Sequence, residues 1–163
     1  MQVSPLPPVV IGGALIVPAG LLDRAKSGRE VAPSQFAHDT ERVAKLALDE
    51  VLASELSLGF VPRAVSDEKC GYDVESSIPG TGRLRFIEVK GRAKGADTVT
   101  VTKNEILTAL NKPEDFILAI VEIDGEVKQT RYIYRPFEQE PDFAVTSINY
   151  NLHELLAKSR DPF

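Results

Sequence analysis

"GYDVESSIPGTGRLRFIEVKGR", residues 71–92, reads as two β-strands joined by a tight turn. Taking Gly80 and Thr81 as the centre of that turn and counting outward sets Asp73 across from Glu88, give or take a residue or two of register. Facing carboxylates repel across a sheet, so a simple hairpin gains nothing from such a pair. Side chains alternate faces along a strand, so Glu88 and Lys90 project to one side while Ile87 and Val89 project to the other. Ile87 and Val89 can then enter a core while Glu88 and Lys90 build a site. With Asp73 opposite, two carboxylates and a backbone carbonyl, that of Val89, can converge. This is a hard, all-oxygen donor set of the kind Mg²⁺ or Mn²⁺ prefers. A cation there would cancel the repulsion, and Lys90 could orient or help deprotonate a water and stabilise charge on a phosphate.

Working outward, "DTERVAKLALDEVLASELSL" (39–58) reads as a helix capped by Asp39 or Thr40, ending near Gly59. Ala44, Leu48, Val51 and Glu55 share a face, and Glu41 lies on the same stripe at the first turn. A charge on the buried side of a helix needs a partner, because burying it unpaired is costly. "FVPRAVS" (60–66) is a first strand, followed by hairpin strands over 71–78 and 84–91. "DTVTVTKNEILTALNK" (97–112) starts extended and turns helical near Thr102, which caps the first turn. "DFILAIVEID" (115–124) carries enough Ile, Val and Leu to lie centrally in a sheet. The "DG" at 124–125 turns the chain into the strand "EVKQTRYIYRPF", then "FAVTSINY" and a short helix, "NLHELLAKS". The expectation is an α/β layer with a mixed sheet flanked by helices.

At 163 residues the chain is one domain with an arm: an N-terminal arm over 1–36 and a domain over 37–163. The apolar run "VVIGGALIVPAGLL" (9–22) is shorter than the ~20 residues of a membrane helix and is broken by Gly12, Gly13, Pro18 and Gly20. It is expected to be extended chain packed on this domain or on a neighbour, with no membrane partner. The start at "MQVSPLPP" is read as that of a piece of a longer protein. A single cysteine, Cys70, makes no internal disulfide and fits a reducing, cytoplasmic setting. Two histidines, His38 and His153, and one cysteine are too few for a usual structural zinc site.

The net charge of −5 argues against a generic DNA-coating protein. Its distribution is uneven, however. Arg83, Arg85, Lys90, Arg92, Lys94 and Lys103 against Glu88 and Asp97 give residues 83–103 a balance of +4, whereas 114–142 carry −5. A basic strip on an acidic body marks either a phosphate-binding face or a solvated edge.

The order of parts narrows the choice. It runs through a helix with Glu41, a strand, the Asp73 strand, a tight turn, the Glu88-x-Lys90 strand, and a helix opening with Asn104 and Glu105. These are the order and spacing of the PD-(D/E)xK nuclease core, which is restriction-endonuclease-like. "GYDVES", "FIEVKGR" and "VTKNE" together resemble the NO VEIN C-terminal domain, a family named for a plant protein. In bacteria that family often ends large helicase-like and DNA-defence proteins. The run "GFVPRAVS … D … IEVKGR" is also similar to archaeal Holliday-junction resolvases. The resemblance covers about residues 40–125. It implies Asp73 and Glu88 as metal ligands, Lys90 as the catalytic lysine, Glu41 as the acid of the first helix, and Glu105 in a supporting position. Tyr72 stands where the motif has proline. Glu55 competes with Glu41 for the helix role, and the two are about 21 Å apart along a helix, so only one can reach the site. Two readings follow. One is a metal-dependent endonuclease domain acting on DNA, with Arg92, Lys94, Lys103 and Asn104 on the nucleic acid and Mg²⁺ or Mn²⁺ as cofactor. The other is a non-catalytic DNA- or protein-binding module of a helicase that keeps the fold.

Overall fold

A computed structural model describes residues 33–163, with side chains from residue 40 onward. The N-terminal arm, but for its last four residues, and the apolar run 9–22 lie outside the described residues.

The central strand explains the layering. β5 (Phe116–Asp124) is buried from Phe116 to Val121, and its side chains feed two cores in alternation. Phe116, Leu118 and Ile120 enter one core; Ile117, Ala119 and Val121 enter the other. An uninterrupted apolar run is what a strand covered on both faces requires. β5 pairs in parallel with β3 (Arg83–Ala93) and antiparallel with β6 (Val127–Tyr134). On its other side β3 pairs antiparallel with β2 (Val74–Ile78), which pairs with β1 (Val61–Ala64). The sheet order is β1-β2-β3-β5-β6.

One face is covered by helix α1 (Pro33–Ser57), through Ala47 and Val51 against Val74 and Ile87. The other is covered by helix α2 (Lys103–Asn111), helix α3 (Leu152–Ala157) and a separate antiparallel pair, β4 (Thr98–Thr102) with β7 (Ser147–Asn151). A mixed sheet flanked by helices is therefore present, and along the chain α1, β1, β2 and β3 are followed by β4, α2 and β5. The mixed sheet expected from sequence is thus present, and beside it lies a second, two-stranded sheet, because β4 pairs with β7 instead of joining the main ladder.

The first helix also differs from expectation. It begins six residues before Asp39, so Asp39 and Thr40 lie inside it and do not cap it. Its buried stripe runs through Ala47, Val51 and Glu55, while Ala44 and Glu41 are exposed. The helix packs so closely on β3 that Gly91 is needed at the crossing. A Cβ there would sit 2.8 Å from the Val43 carbonyl oxygen and 3.0 Å from the Ala47 Cβ.

Candidate active site

The turn centred on Gly80 and Thr81 pairs Val74 with Ile87. Continuing that register one step sets Asp73 opposite Glu88. Gly80, at φ 75°, occupies a left-handed conformation that glycine takes without strain. Asp73 itself lies one residue outside β2, where the ladder is altered. Its N–H donates to the Ile87 carbonyl (2.9 Å), its carbonyl accepts from the Val65 N–H (2.7 Å), and its Oδ2 accepts from the Val89 N–H (2.9 Å). A side-chain oxygen thus continues the pairing that the β2 backbone abandons. The N–H and carbonyl of one strand residue point to the same side, so the Val89 carbonyl faces the Asp73 side as well.

Alternation along β3 works as the sequence requires. Arg85, Ile87, Val89 and Gly91 face α1, whereas Phe86, Glu88 and Lys90 face α2. Glu88 is only 4% exposed. The Lys90 ammonium bridges Glu88 Oε1 (2.6 Å) and Glu105 Oε2 (2.7 Å). Glu105 is fixed in turn by a capping box. The Thr102 N–H donates to Glu105 Oε2 (3.1 Å), and the Glu105 N–H donates to Thr102 Oγ1 (3.4 Å). The helix start therefore positions the carboxylate that positions the lysine.

Two acids, Glu88 and Glu105, hold one ammonium, and the charge of a third, Asp73, bears on Glu88. Burial pushes the Glu88 carboxyl up to about 8, with the charges of Asp73 and Glu105 adding to the shift and Lys90 opposing it. Burial alone would lower the Lys90 pKa, but Glu88 and Glu105 outweigh it and the net shift is upward, so Lys90 remains an ammonium. The site is thus short of positive charge. A groove of about 210 Å³ opens on it, lined by Ser66, Lys69, Tyr72, Asp73, Glu88 and Asn104 among others.

The donor types present, two carboxylates and a backbone carbonyl, are those a hard divalent cation takes. Among the described residues only one Asp73 oxygen and one Glu88 oxygen are engaged by protein donors, and the Val89 carbonyl lies on the same side. No group of three or more His, Cys, Asp or Glu side chains able to hold a metal occurs among the described residues. A cation here would rest on two carboxylates, a carbonyl and water.

The remaining expected site residues are placed differently. Glu41 is exposed and is not part of the groove wall. Glu55 is fully buried on the opposite face of the sheet, 3.2 Å from Arg85 Nη2 and accepting from the Tyr132 hydroxyl (2.8 Å). Asn104 lines the groove, but the basic residues are largely committed elsewhere. Arg92 donates to the carbonyls of Gly91 and Thr98, Lys94 pairs with Asp124, and Lys103 donates to the carbonyls of Asp142 and Phe143. Arg83 and Arg85 pair with Asp115 and Glu55. Arg83, Arg85, Arg92, Lys94 and Lys103 thus all have partners in the fold, those of Arg83 and Lys94 in exposed ion pairs. Sequence reading missed Ser66, Lys69 and Thr102 as groove residues. The Thr-x-x-Glu spacing of Thr102 and Glu105 was an available signal for the last.

Comparison with curated proteins finds no match. Among solved structures, the Holliday junction resolvase Hjc of Archaeoglobus fulgidus, an archaeal hyperthermophile, is similar at 12% identity and a TM-score of 0.49. The likeness covers 72% of this chain and 90% of that one. The family described as "Protein NO VEIN, C-terminal" matches residues 41–133. That match spans more than half of the sequence, and the chain belongs to the NO VEIN C-terminal family.

Proposed function

We propose that this domain hydrolyses DNA phosphodiesters with the help of a divalent cation, Mg²⁺ or Mn²⁺, as part of a larger helicase-like or DNA-defence protein. The observation that carries this reading is the Lys90 ammonium held between Glu88 and Glu105, two acids that line an open groove together with Asp73. Asp73, Glu88 and the Val89 carbonyl would hold the cation. When bound, it supplies Lewis acidity toward a phosphoryl oxygen and lowers the pKa of water.

The chain's own residues do the rest. Lys90, kept protonated by its two carboxylates, donates hydrogen bonds and stabilises charge building on the phosphate, and does not act as a base. Glu105 orients Lys90 and is itself held by the helix cap. Asn104, at the start of the same helix, presents an amide to the substrate strand in the groove.

The test is cleavage of supercoiled plasmid and of branched and linear DNA in Mn²⁺. Wild type should nick or cut at least one substrate, and Asp73→Asn should not. Absence of cleavage by wild type on every substrate, in the presence of its parent protein's other domains, would overturn the enzymatic reading. Of the alternative, a non-catalytic DNA- or protein-binding module, one observation favours the protein-binding form: the internal pairing of Arg83, Arg85 and Lys94 leaves little free positive charge for DNA.

A further inference from the structure

We propose that Lys69 is a substrate-binding residue whose ammonium contacts a DNA phosphate next to the one held at Asp73 and Glu88. The inference rests on the phosphodiester reading of the groove and adds to it the cation that the groove otherwise lacks.

The charge balance of the groove creates the need. Asp73, Glu88 and Glu105 line it, and the Lys90 ammonium is shared between two of them. A polyanionic strand approaching this wall meets net negative charge flanking any metal-held phosphate. Arg92, Lys94 and Lys103 are held by carbonyls or by Asp124. Lys69 lines the same groove, is exposed, and has no ion pair or side-chain hydrogen bond among the described residues.

The backbone carries a second, independent sign. Lys69 closes the short helical turn Ser66–Glu68 with φ 52° and ψ 34°, in the left-handed region. An L-residue pays conformational free energy there that glycine avoids, and such strain gathers at functional positions. The loop that imposes it is anchored: a Cβ on Gly71 would lie 2.3 Å from Thr108 Oγ1 on α2. The turn is thus clamped to the helix that forms the opposite groove wall, and Lys69 stands at its bend. A compact ammonium on a flexible four-carbon stem suits a phosphate contact that needs charge and no fixed geometry.

The experiment measures binding of the 163-residue chain to fluorescently labelled duplex DNA across a salt titration, for wild type, Lys69→Asn and Lys69→Arg. Asparagine tolerates the left-handed conformation, and unchanged melting temperatures verify the fold. Loss of one phosphate contact should lower the magnitude of the slope of log K against log salt by about one. Lys69→Arg should restore it. In Mn²⁺-dependent cleavage, Lys69→Asn should raise KM and leave kcat close to wild type, a split that a purely structural role would not produce. An unchanged slope in Lys69→Asn overturns the proposal and leaves the phosphodiester reading standing if wild type still cleaves. A Lys69-dependent slope in a wild type that never cleaves supports the contact and removes the chemistry. A wild type that binds no DNA at low salt overturns both.

Discussion

Asp73 Oδ2 accepts the Val89 N–H at 2.9 Å, so the carboxylate proposed to hold the cation is also a structural part of the β2–β3 ladder. The two roles separate by substitution. Asp73→Asn keeps an acceptor oxygen for Val89, whereas Asp73→Ala leaves that half-buried N–H without one. The alanine variant should lose about 1–3 kcal/mol of stability, and the asparagine variant much less. Urea unfolding of the two proteins checks this, and equal losses would show that the hydrogen bond is not what holds the ladder end.

Glu88 makes the metal-free protein sensitive to pH. Its folded pKa, about 8, is raised above the ordinary 4.5. The folded state therefore binds a proton more tightly than the unfolded state between those values. That contribution is fully present below about pH 4.5 and is lost as pH rises through about 8. Glu75 shifts the other way, downward through its hydrogen bonds from Arg63 and Tyr72, and acts only below the same window. Stability of chelator-treated protein should accordingly fall from pH 5 to pH 8.5, and Glu88→Gln should flatten the profile. Melting temperatures across that range decide it.

The buried cluster on the α1 face predicts a loss of stability without a loss of metal response. Glu55→Leu leaves Arg85 buried without its carboxylate and should cost about 3–5 kcal/mol. Tyr132→Phe removes one hydrogen bond to a charged acceptor and should cost about 1.5–3 kcal/mol. Denaturant midpoints measure both. The metal-induced change in melting temperature of Tyr132→Phe should match wild type, since the cluster and the groove lie on opposite faces of the sheet.

Two glycines differ in their reason for being glycine. Gly91→Ala drives a methyl against the Val43 backbone oxygen, which cannot rotate away, so the cost should reach about 1–3 kcal/mol. Gly80→Ala meets nothing within 4 Å and suffers only the strain of φ 75°, about 1–2 kcal/mol. If alanine at 91 is tolerated better than at 80, the α1–β3 approach is looser than described.

These residues also show what could be read from sequence. The turn at Gly80 and Thr81 determined the register because a hairpin's pairing follows from its turn and its period of two. The faces of β3 followed from the same alternation, and the mixed sheet from the apolar run of β5. The stripe of α1 was displaced because Glu41 and Ala44 share helical spacing with Val51, and spacing alone does not say where packing begins. Glu55 drew attention as a charge on an apolar face, but its partners come from β3 and β6, at sequence distances that no local pattern reveals. The partners of the basic residues of 83–103 were hidden for the same reason. Asp115 and Asp124 lie in the acidic stretch 114–142, which was counted apart from the basic one, and the carbonyls that hold Lys103 lie farther still. Lys69 was legible only through its backbone conformation, which composition does not carry.

The most direct test of the central claim is metal-linked melting at pH 8.5, where Glu88 is largely ionised and the repulsion with Asp73 is greatest. Mn²⁺ at ten times its dissociation constant should stabilise wild type by about 1.4 kcal/mol, or roughly 3–6 °C for a domain of this size. The shift should shrink toward pH 6 as protons compete for Glu88, and Asp73→Asn should lose most of it while melting near wild type in chelator. Equal Mn²⁺ shifts in wild type and Asp73→Asn would mean that Asp73 and Glu88 do not hold a metal, and the account of the groove would be wrong.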